Sequence, residues 1–426
     1  MQPFDHSKEI AKYYWATPEL VQKAIDTALA AREEWERVPL QRKVEMFLKA
    51  GDLVSTKYRM ELNAATMLGQ GKTAIQAEID SAAELADFFR FNAYFAKELT
   101  KYQPISQHPS TNTFRLRGLE VSSPVKLPCC TALDECCLVC SIQGFIASIS
   151  PFNFTAIGGN LASAPALMGN VVVWKPSDTA ILSNYIILQL LKEAGFPPGV
   201  VSFVPADGPV FGGVVTASPQ LAGINFTGSV PTFQWLWKQT AQKLEQYKNF
   251  PRLVGECGGK NYHFVHPSAD IDSVVALTIR SAFEYSGQKC SACSRAYIPD
   301  SIWPKVREGL VEAQKQLKLG SPLEWDTFLT AVIDKKSHDR ISSYLQMAKS
   351  PGCKVLAGGS ADGSRGYYVQ PTVVEVSDPG HRMVQEEIFG PVLSVVVYSH
   401  KDPVAALRLV RECNYGLTGA IFAQDP

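Results

Sequence analysis

The chain has 426 residues, of which 46% are hydrophobic and 19% charged, and its 41 lysines and arginines balance 41 aspartates and glutamates. This length exceeds one ordinary hydrophobic core, so we expect two domains. The charge balance gives no electrostatic reason for binding nucleic acid or an anionic membrane, and no apolar run reaches the ~18 residues of a membrane span. The composition therefore predicts a soluble globular protein without nucleic-acid or membrane partners.

The first part of the chain, residues 17–99, has a helical pattern. Thr17 is a candidate N-cap before a proline in the first turn, and apolar residues then recur at three- and four-residue spacing. Such apolar stripes normally face a core, so we expect these helices to provide core contacts rather than chemistry.

Short apolar runs alternate with helical segments from residue 145 onward. The runs cover residues 145–150, 170–177, 200–204, 222–227 and 252–255. Runs that are apolar at successive positions indicate buried strands of a parallel sheet, which binds ligands at the carboxyl ends of its strands. Four candidate site residues stand at or just after those ends: Asn153, Lys175, Gly228 and Glu256.

A second alternation of helices and strands follows from residue 271. Helical patterns cover residues 271–285, 303–317 and 337–349, and strand-like runs cover residues 296–298, 367–376 and 391–398. We therefore predict two domains, residues 1–259 and residues 260–426, with Glu256 and Cys290 near their junction.

Residues 121–143 have no sustained helix or strand period, yet they hold five of the ten cysteines: Cys129, Cys130, Cys136, Cys137 and Cys140. Ten cysteines in so long a chain do not form a disulfide scaffold. Thiolates can bind zinc, but adjacent cysteines cannot readily ligate one ion, so we predict an unstructured insertion and no metal site. The other cysteines are scattered, as in a protein of a reducing compartment.

Cys290 stands among small residues, with Gly287 before it and Ser291 and Ala292 after it. Most free cysteines are buried hydrophobic residues, but a nucleophile needs this access and a stabilised thiolate. Cys290 and Cys293 also form a CxxC, which allows a redox pair or half of a metal knuckle. We predict a nucleophile, because the sequence has neither a second knuckle nor a thioredoxin-like Trp-Cys.

A nucleophilic cysteine that forms a thioester needs a base to activate water and a donor for the oxyanion, and two further residues are candidates for these roles. Glu256 precedes Cys-Gly-Gly, so its backbone can turn freely, and its carboxylate is a candidate general base for water. The alternative is a surface glutamate at a strand end. Asn153, just after the first strand, can stabilise an oxyanion together with the backbone N–H of Cys290; the alternative is an ordinary turn asparagine.

A nucleotide cofactor is indicated by three short segments. Residues 226–229, Phe-Thr-Gly-Ser, end a strand and open a helix with Pro231 in its first turn. Backbone N–H groups at such a helix start can hold a pyrophosphate, although the full GxGxxG motif is absent. Lys175 is a candidate contact to a nucleotide ribose, and Glu387 and Phe389 are candidates for the nicotinamide ribose.

The motifs SPFNF, WKPSD, FTGS, GECGGK, GQKCSACSR and EEIFGPV together closely resemble the aldehyde dehydrogenase superfamily, over nearly the whole chain except residues 121–143. The resemblance implies an α/β aldehyde dehydrogenase fold, with a Rossmann-type NAD-binding domain and a second α/β catalytic domain. The longer stretches GQGKTAIQAEID, GECGGKN and EYSGQKCSACSR are similar to one subfamily. That subfamily oxidises L-glutamate γ-semialdehyde, formed from Δ1-pyrroline-5-carboxylate, to L-glutamate in mitochondrial proline catabolism.

Carried over residue by residue, the resemblance implies Cys290 as nucleophile, Glu256 as general base and Asn153 as oxyanion donor. It implies Phe154 and Ser291 in the substrate pocket. The residues implied for NAD are Ser150, Lys175, Gly228, Ser229, Val230, Pro231, Thr232, Glu387 and Phe389. It also implies a small-molecule substrate, a homodimer and a mitochondrial matrix location, although no presequence is visible.

Three departures from the family pattern lead to further expectations. Residues 121–143 interrupt a family strand that would join residues 117–120 to 144–147, so we expect an insertion there. The chain ends before the family's substrate-carboxylate loop and dimerisation strand, and it begins later than the family does. We therefore expect a chain incomplete at both ends. The alternative function is a catalytically inactive fragment or gene-model variant that keeps the dinucleotide fold.

Overall fold

A computed structural model describes residues 1–114, 118 and 144–424. The predicted insertion at residues 121–143, with its five cysteines and the zinc alternative, lies outside these residues. Among the described residues, no helix is both long enough and apolar enough to cross a membrane.

The helices, in chain order, are α1 Pro18–Arg37, α2 Leu40–Ser55, α3 Arg59–Gln70, α4 Ala74–Ala77, α5 Glu84–Leu99, α6 Thr155–Leu167, α7 Ile181–Ala194, α8 Gly208–Ala217, α9 Val230–Ala241, α10 Ile271–Phe283, α11 Trp303–Gln316, α12 Lys335–Met347, α13 Arg382–Gln385 and α14 Pro403–Arg411. A π-helical segment covers Glu78–Ala83, and 3₁₀ turns cover Leu244–Gln246 and Glu284–Gly287.

The strands are β1 Phe145–Ile149, β2 Val172–Lys175, β3 Val201–Phe203, β4 Leu221–Thr227, β5 Arg252–Glu256, β6 Asn261–Val265, β7 Cys293–Pro299, β8 Cys353–Ala357, β9 Ala361–Asp362, β10 Tyr368–Val369, β11 Thr372–Val376, β12 Val392–Tyr398 and β13 Gly419–Phe422.

The chain divides into two compact units. The five-stranded unit comprises Lys12–Asn63 and Glu78–Glu256, and the six-stranded unit comprises Met1–Ala11, Ala64–Ala77 and Cys257–Pro426. The predicted domains were residues 1–259 and 260–426. In the structure, Met1–Ala11 and Ala64–Ala77 instead group with the C-terminal residues. The NAD-binding and catalytic roles given to the two domains stay predictions.

The five-stranded unit contains a fully parallel sheet with strand order β3-β2-β1-β4-β5. Its inner strands are almost entirely buried, as expected where helices cover both faces of a parallel sheet. The chain runs outward from β1 to β3 and then crosses back to β4, so the strand order reverses between β1 and β4. A ligand of such a sheet binds at that reversal, beyond the carboxyl ends of the strands.

The six-stranded unit contains a sheet of order β13-β6-β7-β12-β11-β8, in which only the edge pair β8–β11 is antiparallel. Alternate residues of its strands enter two different hydrophobic clusters. Tyr297 lies in one cluster and Ile298 in the other, and Val392 and Leu393 divide in the same way. This alternation is the two-residue period of strands that are covered on both faces. The two sheets and their helices confirm the predicted α/β fold class.

Some elements differ from the sequence predictions. The strand β6 was not predicted, because its run Asn-Tyr-His-Phe-Val alternates polar and apolar residues although four of the five are buried. The strands β8 and β13 and the helix α14 were not predicted either. The helix predicted to span residues 271–285 ends at Phe283, because Tyr285 and Ser286 adopt positive φ angles of 52°.

Candidate active site

Ser150 and Asn153 lie where β1 ends, at the reversal of strand order. The Ser150 N–H donates to the Lys175 carbonyl at 3.1 Å, and its Oγ accepts from the Trp174 indole at 3.0 Å. Asn153 is buried just before the start of α6. The ends of β1 and β2 are therefore bonded to each other at the edge where the sequence predicted a ligand.

Lys175 is the last residue of β2, and its side chain is 9% exposed. Its Nζ donates to the Pro176 carbonyl at 3.1 Å. Burial lowers the pKa of this ammonium, whereas Asp178 and Asp207 act in the opposite direction. A lysine ammonium has three N–H donors, so Lys175 can bind the hydroxyl groups of a nucleotide ribose as well as the Pro176 carbonyl.

The β4–α9 connection forms a helix start suited to an anion. Ser229 is the N-cap of α9, accepting a hydrogen bond from the Thr232 N–H at 3.4 Å, and Pro231 lies in the first turn. A Cβ on Gly228 would lie 2.7 Å from the Phe226 ring, so this position has no room for a side chain. A phosphate at this helix end can accept hydrogen bonds from the backbone N–H groups of the first turn. It is also attracted by the positive end of the helix dipole.

Glu256 ends β5, beside the start of α9. It pairs with Thr227 in the sheet, and its carbonyl accepts a hydrogen bond from the Gly228 N–H at 3.1 Å. The Glu256 residue is exposed. The structure thus brings together two sequence-predicted features, the candidate phosphate-binding turn and the candidate general base.

In the six-stranded unit, Cys290 follows a strained turn. Tyr285, Ser286 and Gly287 have φ angles of 52°, 52° and 66°, a left-handed run that costs non-glycine residues roughly 1–3 kcal/mol each. Buried hydrogen bonds hold the turn. The Tyr285 hydroxyl donates to the Gln70 carbonyl at 2.9 Å, and the Ser286 hydroxyl donates to the Thr330 carbonyl at 2.5 Å. These supporting contacts were not foreseen, because residues 215 and 44 positions apart form them.

The two cysteines of the CxxC have different surroundings. Cys293 is 2% exposed in β7, and burial raises the pKa of its thiol to about 12. Cys290 is only partly buried, and neither cysteine is in a disulfide among the described residues. A thiol that stays protonated is a poor nucleophile, so Cys290 is the better candidate nucleophile of the two. This contrast argues against the redox-pair alternative.

Glu387 lies in the loop after α13 and is fixed by the segment that precedes β6. Its carboxylate accepts the Gly259 N–H at 2.9 Å, and a Cβ on Gly258 would lie 2.1 Å from its oxygens. Burial raises the pKa of Glu387, opposed by this hydrogen bond and by nearby Lys260 and Arg340. A small cavity separates residues 387–390, which include Phe389, from residues 289 and 292–294.

We expect Gly287→Ala to destabilise the protein by roughly 2–6 kcal/mol, since strain in the left-handed region and steric overlap each cost about 1–3 kcal/mol. Gly287 has a φ of 66°, and an added Cβ would lie 2.3 Å from the Gly390 carbonyl oxygen. Chemical denaturation measures the loss. Gly416→Ala is the control, because a Cβ there has no atom within 4 Å among the described residues. Equal stability of the two variants would contradict the strained turn.

Comparisons with known proteins identify the family of this chain. Residues 1–426 match the aldehyde dehydrogenase family, and the chain belongs to that family. Its sequence is 55% identical over 428 residues to mitochondrial Delta-1-pyrroline-5-carboxylate dehydrogenase of Danio rerio, covering 100% of this chain and 73% of that protein. The human protein of the same name is 56% identical over 428 residues, covering 100% of this chain and 72% of its own length.

A solved structure extends the similarity to three dimensions. The NAD-bound Delta-pyrroline-5-carboxylate dehydrogenase of Mycobacterium tuberculosis has a TM-score of 0.90 at 39% identity, covering 100% of this chain and 74% of that chain. These relatives confirm the family resemblance and the predicted fold class.

Proposed function

We propose that this chain oxidises L-glutamate γ-semialdehyde to L-glutamate with NAD⁺. The observation that carries the proposal is the partly buried thiol of Cys290, presented by a strained turn and followed by a second thiol too buried to react. The substrate is taken from the relatives of Danio rerio and Homo sapiens, whose names give Δ1-pyrroline-5-carboxylate, the cyclic compound from which that semialdehyde is formed.

The reaction begins at Cys290. Its thiolate adds to the aldehyde carbon, forming a carbon–sulfur bond and placing negative charge on the former carbonyl oxygen. The Asn153 amide, together with the Cys290 N–H, is the proposed donor to that oxygen. Phe154 and Ser291 are proposed to line the substrate pocket.

Residues of each unit fit the cofactor. In the five-stranded unit, Lys175 and the start of α9 from Gly228 to Thr232 would hold the ribose and pyrophosphate, with Ser150 beside them. The start of α9 supports this assignment, because the backbone N–H groups of a first helical turn can bind a phosphate. In the six-stranded unit, Glu387 and Phe389 would hold the nicotinamide ribose. Bound NAD⁺ supplies the hydride acceptor that turns the thiohemiacetal into a thioester.

Glu256 completes the cycle as general base. Its carboxylate takes a proton from water, the oxygen attacks the thioester carbon, and the carbon–sulfur bond breaks to regenerate the Cys290 thiolate. The balance is aldehyde, NAD⁺ and water converted into carboxylate, NADH and two protons. Exposure of Glu256 at the end of β5 supports the role, since the base must reach water.

The proposal assigns the pyrophosphate site, Asn153 and Glu256 to the five-stranded unit, and Cys290, Glu387 and Phe389 to the six-stranded unit. It includes a mitochondrial location, since the relatives from Danio rerio and Homo sapiens are named mitochondrial. A homodimer, which the family resemblance implies, is also proposed, and sedimentation of the purified chain would test it.

A pair of adjacent glutamates tests the cofactor assignment. We expect Glu387→Gln to raise the KM for NAD⁺ about tenfold or more, because hydrogen bonds to charged groups contribute roughly 1.5–3 kcal/mol. NADH formation from glutamate γ-semialdehyde at varied NAD⁺ gives the KM. The control is Glu386→Gln, since Glu386 instead bonds Arg382 at 2.7 Å and Tyr344 at 2.6 Å. An unchanged KM in Glu387→Gln would contradict the assignment.

A further inference from the structure

The peptide of Cys290 is bonded by a buried side chain for which sequence reasoning gave no role. Asn261, the first residue of β6, is 3% exposed. Its Nδ2 donates to the Cys290 carbonyl at 2.6 Å and to the Ala292 carbonyl at 2.9 Å. Its Oδ1 accepts the Thr418 N–H at 3.0 Å. One amide thus connects β6, the nucleophile turn and the segment before β13.

Only a carboxamide of this length satisfies the three contacts. The two hydrogens of Nδ2 match two carbonyl oxygens, and Oδ1 matches an N–H. An aspartate would set a carboxylate oxygen against two carbonyl oxygens, which repel it. Gly259 closes the same site, because a Cβ there would lie 2.7 Å from both Asn261 Oδ1 and the Cys290 carbonyl oxygen.

We propose that Asn261 is a positioning residue for the nucleophile, an inference that rests on the proposed role of Cys290. The left-handed turn fixes the chain before Cys290, and Asn261 fixes the carbonyl after it. The Lys289 carbonyl also accepts the Ala292 N–H at 3.1 Å, so both peptides that flank Cys290 are hydrogen-bonded and its Cα–Cβ direction is set. The Thr418 hydroxyl also donates to the Ser291 carbonyl at 3.4 Å, so the segment before β13 supports the same turn.

The test compares amide-to-carboxylate changes at two buried sites of the same unit. The control is Gln314→Glu: Gln314 is 8% exposed on α11 and donates to the Pro371 carbonyl at 2.8 Å. We expect Asn261→Asp to lower kcat about 100-fold, the scale of a ~1 Å misplacement, with both KM values changed less than about threefold. Gln314→Glu should lower the unfolding midpoint but keep kcat within about threefold, because it lies outside this contact set.

A second variant and a second readout keep the test decisive. Should Asn261→Asp fail to fold, Asn261→Ser retains one donor and is expected to lose about tenfold in kcat. Folded Asn261 variants with kcat within about threefold of the parent would overturn the positioning role. The rate of Cys290 alkylation by iodoacetamide, read by peptide mass, needs no turnover. We expect it to change more than about threefold in Asn261→Asp and less in Gln314→Glu; equal rates would overturn the inference.

Measuring kcat of these variants beside Cys290→Ala distinguishes failure of the proposed function from failure of the positioning role. A Cys290→Ala chain with parental turnover would refute the proposed function itself. An inactive Cys290→Ala chain beside fully active Asn261 variants would refute only the positioning role.

Discussion

Replacing Cys290 with alanine is expected to reduce kcat for aldehyde oxidation by about 10⁴-fold or more, because covalent catalysis ends without its nucleophile. Steady-state NADH formation measures this loss. Binding of NAD⁺ should survive, since the residues proposed to hold it are unchanged.

The matched control for this loss is Cys353→Ala. Cys353 is also partly buried, at the start of the edge strand β8, with its sulfur 3.8 Å from His381 Nε2. Its removal should leave kcat within about twofold, as expected of a substitution away from the reacting groups. Equal losses in the two variants would mean that Cys290 is not the nucleophile. An inactive parent chain whose Cys290 is still alkylated would favour the alternative of a non-catalytic family member.

Glu256→Gln is expected to stop the cycle after the first turnover. Hydride transfer precedes hydrolysis of the thioester, so rapid mixing should show a burst of NADH close to one per active site. The steady rate should then fall by about 10²–10⁴-fold, the range for loss of a general base.

The control for the burst experiment is Glu245→Gln, an exposed glutamate of the same unit in a 3₁₀ turn. It should turn over at the parental rate. A Glu256→Gln chain without a burst would place Glu256 before or at hydride transfer instead of at hydrolysis.

The five-stranded sheet could be predicted from the sequence because its strands are apolar at successive positions. Asn153, Lys175, Gly228 and Glu256 do lie at or just after strand ends, as predicted. The carboxyl ends of neighbouring parallel strands lie at the same edge of a sheet. The predicted sheet alone therefore places these residues at one edge. The roles of these residues remain proposals.

The support of Cys290 could not be predicted, because it comes from distant segments. The sequence pattern gives no sign of positive φ at Tyr285 and Ser286, since neither residue type favours it. Asn261 begins the strand β6, which was not predicted because its polar residues interrupt the apolar pattern. Its hydrogen bonds join residues 29 and 157 positions away in the sequence. Likewise, spacing could not show that Cys293 begins a buried strand while Cys290 precedes it.

Mass spectrometry of the trapped intermediate shows whether Cys290 carries the thioester. The Glu256→Gln chain would be mixed with NAD⁺ and glutamate γ-semialdehyde, quenched in acid and digested. We predict a glutamyl thioester on the peptide that contains Cys290, formed in step with the burst of NADH and absent when NAD⁺ is omitted. NADH formed while Cys290 stays unmodified, or an acyl group found on another residue, would contradict the account.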